Sequence, residues 1–340
     1  MKNANINAIT MGDPAGIGPE IILKAFKEKN FEVNDRIVVV GDLKVLKQLN
    51  KILDYNLLFN KLDEDGLNNI DKKYVESKVN VVDLDNVDLD NLEPGKISKN
   101  AGKAAVEFVL KAIDLAMDGK VDAVVTAPIN KEAIQKAGFK YPGHTEIFAE
   151  KTNTKDYAMM LYSDKLNVIH VSTHMSLLNA CKDLNKKRVA TVISLADNAL
   201  KKLGFSDPKI AVAGLNPHAG EHGLFGDEEI KHIIPAIEAA KEKRINVDGP
   251  VPPDTVFVKA VNGQYDIVVV MYHDQGHIPV KLLGFDSGVN ITVGLPIIRT
   301  SVDHGTAFDI AWKGKAYDTS LIKAVKAANL MFSMEPNQDY

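Results

Sequence analysis

Three runs of β-forming residues in this 340-residue chain each give way within a few positions to a histidine. They are Asn167-Val-Ile-His-Val-Ser-Thr-His174, Ile210-Ala-Val-Ala-Gly-Leu-Asn-Pro-His218 and Asp266-Ile-Val-Val-Val-Met-Tyr-His273. Short apolar runs rich in Val and Ile, bounded by turn residues and separated by helical stretches, read as strands buried on both faces of a parallel sheet. Such a pattern restricts the chain to helix-flanked, mostly parallel α/β architectures. In these, ligands bind in the crevice beyond the carboxyl ends of the strands. His174, His218 and His273 are therefore expected on one rim of one sheet.

The rest of the chain repeats the pattern. Ile6 to Met11 reads as a first strand, followed by Gly-Asp-Pro-Ala-Gly-Ile-Gly-Pro-Glu (12–20) and a helix through about Lys27. Pro19 suits the first helical position, and Glu20 complements the positive end of the helix dipole. Arg36 to Val40 is a second strand, Val79-Asn-Val-Val another, and Asp122 to Thr126 a buried one leading into Ala-Pro-Ile-Asn-Lys. Asn100 is expected to cap an amphipathic helix with Ala105, Val109, Ala112, Ile113 and Ala116 on one stripe, ending at Gly119. Further helices are expected over Lys186–Leu203 and Glu228–Lys243. From 43 to 90 the sequence is rich in Asn, Asp and Lys and carries little topological signal. The residues after Met331 read as a frayed tail. The length exceeds one ordinary core, so two lobes are expected. No Pro- or Ser-rich linker separates them, which favours a chain that crosses between lobes more than once.

Bulk properties exclude several classes. Apolar residues make up 45% and charged residues 25%, an ordinary globular balance. A net charge of −4 gives no basic footprint for nucleic acid and no reason to invoke an anionic membrane. An anionic substrate would have to be held by local cations. Met-Lys-Asn-Ala-Asn-Ile-Asn at the start lacks the apolar core of a signal peptide, and no run is long enough to span a bilayer. The single Cys181 excludes an internal disulfide framework and suits a reducing cytoplasm, and it reads as a buried or half-buried small residue rather than a nucleophile.

One histidine at a strand end is most simply a hydrogen-bonded structural residue. Three at equivalent strand ends point instead to a divalent metal. Imidazole ligation suits Zn, Co, Ni or Mn better than Mg, and three protein ligands leave positions open for substrate, as in a catalytic site. His170, His222, His232 and His277 are assigned no role. Beyond His273 follow Asp274 and then Lys281, Asn290 and Arg299, separated by turns and short apolar runs. Arg recognises phosphate or carboxylate bidentately, and Lys supplies a point charge or a base. Beside a candidate ligand this spacing suggests anion binding, although solvated surface cations would give the same pattern. Gly12-Asp-Pro-Ala-Gly16-Ile-Gly18 is not the dinucleotide fingerprint, because its spacing is reversed and prolines interrupt it.

The strings MGDPAGIGPEI, PGKIS, APINK, GHTE, STHMSL, GLNPHAGE, GPVPPDT, YHDQGHIPVK, GVNITVGLP and RTSVDHGTAFDIA, in that order, resemble the 4-hydroxythreonine-4-phosphate dehydrogenase family. They run from near residue 9 to about 317. The resemblance implies a homodimer of two-lobed α/β/α subunits similar to isocitrate and isopropylmalate dehydrogenases, with the active site in the interlobe cleft and at the dimer interface. One lobe would comprise 1–140 and 300–340, with a cofactor loop at 303–312; the other, 141–299, would carry the metal and dimer contacts. Metal ligands carry over onto His174, His218 and His273, drawn in the family from both subunits. Substrate contacts carry over onto His144, Thr145, Lys281, Asn290 and Arg299, with Asp254 and Asp274 as polar neighbours. His304, Gly305, Thr306, Ala307 and Asp309 resemble the loop that holds the adenosine half of NAD or NADP. The family usually reads Ala-Gly after Asp-Ile; this chain has Ala311-Trp312, and its only Trp could stack on an adenine or block it.

The implied reaction oxidises the C3 hydroxyl of a phosphorylated four-carbon acid, with Lys281 or Asp274 as base, and then loses CO2 from the β-keto acid. The family divides between 4-phosphooxy-L-threonine, a precursor in pyridoxine biosynthesis, and the carbohydrate-derived D-threonate or D-erythronate 4-phosphate. HDQGHIPVKLLGF and GLFG lean toward the sugar acids. Two readings from other classes are a hydrolase whose three histidines activate water and a non-catalytic metal- or phosphate-binding protein.

Overall fold

A computed structural model of the chain describes residues 5–32, 34–63, 66, 68–284 and 288–333. The expected frayed tail lies outside them from residue 334 onward. Two compact units emerge, one formed by 1–154 with 295–332 and the other by 155–294. The segment 141–154, which contains the GHTE motif, and the segment 295–299, which ends at Arg299, both belong to the first unit.

The first unit holds a parallel sheet in the order β3-β4-β2-β1-β5-β12: β3 (Phe59–Leu62), β4 (Val79–Asp83), β2 (Arg36–Gly41), β1 (Ile6–Thr10), β5 (Ala123–Thr126) and β12 (Ile298–Val302). Its central strands are buried along their whole length, as continuous Val and Ile runs require when helices cover both faces. The helix Lys99–Met117 packs here with Ala105, Val109, Ala112 and Ile113 buried. Its cap is Ser98 rather than Asn100: the Ser98 hydroxyl accepts from the Ala101 amide at 3.4 Å, while Asn100 already lies inside the helix. In the stretch that carried little signal, Asp42 organises the chain. Its buried carboxylate caps the helix Leu43–Ile52 through Lys44 N and Val45 N and also accepts from Val87 N at 2.9 Å.

The second unit holds the order β11-β6-β7-β10-β8-β9: β11 (Val289–Val293), β6 (Ala158–Tyr162), β7 (Val168–His170), β10 (Ile267–Val270), β8 (Ile210–Ala213) and β9 (Val247–Val251). β6 is antiparallel to both neighbours, and the remaining pairs are parallel. Val168, Ala211, Ala213, Val268 and Val270 line one face in a single cluster with Val256 and Val280. β7, β10 and β8, the three strands read from the histidine pattern, are adjacent and parallel. His174, His218 and His273 thus follow three neighbouring carboxyl ends, as the pattern required.

Candidate active site

The polar residues of the second unit gather where β7 and β10 end. His273 opens the helix His273–Leu283, and its ring centroid lies 6.0 Å from that of His174. A cavity of about 510 Å³, lined in part by His174, Ser176, Tyr272, His273 and Asp274, sits at this end. That volume suits a small ligand. The Asp274 carboxylate accepts from His273 Nδ1 at 2.6 Å, which leaves Nε2 as the lone-pair nitrogen and is the usual way a ligating imidazole is oriented.

His218 sits in a turn of unusual backbone geometry. Residues 218–222 all have positive φ, and four of them are not glycine: His218 (53°), Ala219 (54°), Glu221 (41°) and His222 (56°). Each such residue costs about 1–2 kcal/mol in this left-handed conformation, so the turn must be held from outside. Glu229, 1% exposed, does this: Oε1 accepts from the amides of Leu215 and Asn216, both at 2.7 Å, and Oε2 accepts from Asn216 Nδ2 at 2.9 Å. The turn carries the His218 ring to within 6.2 Å of the Phe225 ring centroid. Among the described residues, no group of three or more His, Cys, Asp or Glu side chains in one chain could hold a metal ion. Of the three expected ligands, His174 and His273 lie with ring centroids 6.0 Å apart.

Two histidines without an assigned role prove central. His170 is fully buried on β7, with Nδ1 3.1 Å from the Met159 carbonyl and Nε2 3.1 Å from His277 Nδ1. The His277 ring stacks flat on His273, with centroids 3.6 Å apart and planes 7° from parallel. Burial pulls His170 down to about 3 and His277 to about 4. The sequence did contain a signal. His273, His277 and Lys281 recur at four-residue intervals, one face of a helix.

In the first unit a second group forms around Arg299, on β12. Its guanidinium is 2% exposed, donates to Thr126 Oγ1 at 2.7 Å and lies 5.5 Å from the Phe148 ring centroid. Burial pulls its pKa down to about 9, against the pull of the Glu146 carboxylate. His144 and Thr145 form the first turn of the helix His144–Lys151. His144 Nε2 is buried with no hydrogen-bond partner, and burial together with the Arg299 charge holds this imidazole well below its ordinary range. A buried cation, a neutral imidazole and a helix N-terminus together favour an anion.

Three expected motifs also meet in the first unit. The Ile17 amide donates to Thr306 O at 3.1 Å and the Gly95 amide to Ala15 O at 2.8 Å. At Gly12 (φ 71°) a Cβ would collide with the Pro128 carbonyl of APINK, so the turn closes only around glycine. Asp13, beside it, is buried, and burial lifts its pKa to about 6. Trp312 neither projects outward nor stands across the loop: it is 7% exposed, and its Nε1 donates to Pro14 O at 3.0 Å. It ties the 304–312 loop to the GDPAG turn. His304 donates from Nδ1 to Gly305 O at 3.0 Å, leaving a buried Nε2 with no hydrogen-bond partner. Ala307 takes φ 40°, Gly305 and Asp309 are exposed, and Thr306 is buried. Of the remaining expected contacts, Lys281 lies on the His273 helix, Asn290 on β11 with a buried Oδ1 that has no hydrogen-bond partner, and Asp254 is exposed at the start of the helix Pro253–Val261.

Fold and site together define an α/β chain of two units, with a buried arginine beside a buried imidazole in one and stacked histidines in the other. The model of the family described as "Pyridoxal phosphate biosynthetic protein PdxA" matches residues 33–328, and the chain belongs to that family. It is 53% identical over 329 residues to the D-threonate 4-phosphate dehydrogenase of Pectobacterium atrosepticum, across 96% of this chain and 98% of the relative. A crystal structure of 4-hydroxythreonine-4-phosphate dehydrogenase from Klebsiella pneumoniae is 48% identical with a TM-score of 0.85, covering 97% of this chain and 98% of that one. A β-decarboxylating dehydrogenase from Thermococcus kodakarensis shares the fold at 14% identity and a TM-score of 0.50, over 95% of this chain and 81% of that one.

Glu229→Gln should cost about 1–3 kcal/mol, because an amide group must face either two backbone N–H groups or the Asn216 amide. Faster hydrogen exchange at the Leu215 and Asn216 amides would register it, and unchanged exchange would contradict the assigned role. A pH dependence follows from His170. Its folded pKa lies below its unfolded value of about 6.5, so the native state binds fewer protons and stability falls as pH drops from about 6.5 toward 3. Denaturant titrations at pH 7 and pH 5 should differ by up to about 1.4 kcal/mol per pH unit more in the native chain than in His170→Phe.

Proposed function

We propose that the chain is a metal-dependent NAD(P) dehydrogenase that oxidises the C3 hydroxyl of D-threonate 4-phosphate, or of its D-erythronate epimer, and then releases C1 as CO2. The observation that carries the substrate class is the buried Arg299, with His144 and Thr145 beside it, in a chain more than half identical along nearly its whole length to a D-threonate 4-phosphate dehydrogenase. The planar fork of a guanidinium matches a phosphate or carboxylate, and the neighbouring Glu146 carboxylate helps to keep this one charged.

Arg299, His144 and Thr145 hold an anionic end of the substrate. Lys281, on the same helix face as His273, takes the proton of the C3 hydroxyl as hydride leaves C3. Asp274 is already engaged by His273, which suits fixing that ring better than acting as the base. A divalent metal, Zn, Co, Mn or Ni, would stabilise negative charge on the C3 oxygen, and NAD or NADP would accept the hydride. The 3-oxo acid then breaks its C1–C2 bond. The electron pair passes to the C3 oxygen as an enolate, and protonation at C2 yields dihydroxyacetone phosphate. Asn290 and Asp254 are further candidate substrate contacts. The 304–312 loop is the candidate adenosine site, with His304 Nε2 as an acceptor and Gly305, Thr306, Ala307 and Asp309 around it.

His174 and His273 would hold the metal, with His218 supplied by a second copy of the chain. Exposed Met175, Leu177 and Leu178 adjoin His174, and exposed Leu224 and Phe225 follow His218, so apolar surface flanks both segments as a homodimer contact would need. The phosphate-bearing amino acid 4-phosphooxy-L-threonine is the second reading, favoured by the name of the Klebsiella relative. No helix of the described residues is long and apolar enough to cross a membrane; the cytoplasm is the proposed location.

Coupled assay of NADH and dihydroxyacetone phosphate with D-threonate 4-phosphate, D-erythronate 4-phosphate and 4-phosphooxy-L-threonine should show preference for a sugar acid and dependence on added metal. Preference for the amino acid would sink the sugar-acid reading, and no turnover of any would sink the dehydrogenase reading. Arg299→Lys should lower kcat/KM by about a hundredfold, the loss of one bidentate charge-assisted contact. The KM for NAD should stay near native.

A further inference from the structure

The hydrogen bonds around His273 fix more than its own orientation. The Met159 carbonyl can only accept, so His170 Nδ1 carries a proton. His277 Nδ1 lies 3.1 Å from the His273 carbonyl, which also only accepts, so this nitrogen carries a proton as well. That same N–H faces His170 Nε2 at 3.1 Å, and two N–H groups cannot face each other there. His170 Nε2 must be the lone pair, and the His277 N–H is shared between two acceptors. The geometry alone therefore sets the His170 tautomer and the donor nitrogen of His277.

Packing makes the arrangement rigid. His170 is fully buried, and a Cβ on Gly276 would stand 3.0 Å from His170 Nε2 and 2.9 Å from a Val270 methyl. Only the absence of a side chain at 276 lets the helix approach β7 closely enough for the two rings to bond. His277 then presents its flat face to His273 at 3.6 Å, while Asp274 holds the ring from its Nδ1 edge.

We propose that His170 and His277 are positioning residues that lock the His273 ring, by stacking from a pinned neighbour, in the one orientation its ligand role needs. The ligand role rests on the metal reading above; the locked ring does not. The chain of restraint runs from the β6 backbone through His170 and His277 to His273. The orientation of this ring is thus set from the sheet and not only by the helix it opens.

The test uses the full-length protein labelled with 15N-histidine and free of metal. Native spectra should show His170 protonated at Nδ1 with a lone-pair Nε2, and His277 protonated at Nδ1. His277→Leu should shift and broaden the His273 ring signals and weaken Co2+ binding, measured by calorimetry, by about 10–100-fold, the range for residues that orient ligands. His277→Phe restores a flat ring and should return both readouts toward native. Unchanged His273 signals in a folded His277→Leu protein, or a His170 protonated at Nε2, would overturn the proposal. If His277→Leu does not fold, His170→Leu serves: it removes one acceptor from the His277 N–H without touching the stack, and undisturbed His273 signals would again overturn it. Native protein that binds no Co2+ would defeat the metal reading, and the His273 signals of the metal-free variants would still decide the positioning one.

Discussion

Parallel pairing of strands covered on both faces confines this protein's polar chemistry to strand ends. The backbone of β7, β10 and β8 is paired in its ladder, and apart from His170 at the end of β7 their side chains are apolar. An unpaired polar group within those layers costs on the order of 1–3 kcal/mol. The carboxyl-end loops are where donors, acceptors and charges can stand without breaking the core, and His174, His218 and His273 follow three adjacent ends. In the first unit the same logic places Thr126 at the end of β5 and Arg299 on the neighbouring β12, joined at 2.7 Å.

Polar groups that do enter the interior are there with specific partners, and each holds something in place. Asp42 joins a strand end, a helix and a distant loop through three amides. Glu229 grips the amides that precede a left-handed turn. His170 connects a β6 carbonyl to the helix of His273. Trp312, an unusual residue for its loop, bonds a backbone carbonyl in the GDPAG turn and so becomes part of the framework. Buried hydrogen bonds of this kind are modest in net stability but severe when half-satisfied, which is why they fix geometry.

The left-handed turn at 218–222 has the character of strain kept for a purpose. Four non-glycine residues stand in a conformation that local energetics disfavours. The buried Glu229 holds the stretch that leads into it, and the His218 ring lies beside Phe225.

What the sequence determined alone is what depends on short-range pattern. Val- and Ile-rich runs identified β7, β8 and β10 and put a histidine after each, and the ordered motifs identified the family. The Arg299 and His144 motifs were legible as chemistry because residue type and motif string carry it. Tertiary structure decided the rest. Ser98 displaced Asn100 as a helix cap because only its hydroxyl reached an open amide. GHTE and Arg299, far apart in sequence, fall in one compact unit. His170 and His277, 107 residues apart, became partners only when β7 and the His273 helix packed across Gly276. The chain leading into 218–222 is held by a carboxylate from residue 229, and the left-handed angles there are ones that no residue type other than Gly220 announces. Periodicity reports which face of an element is buried; it does not report which buried polar atoms will meet, and that meeting is what shapes this site.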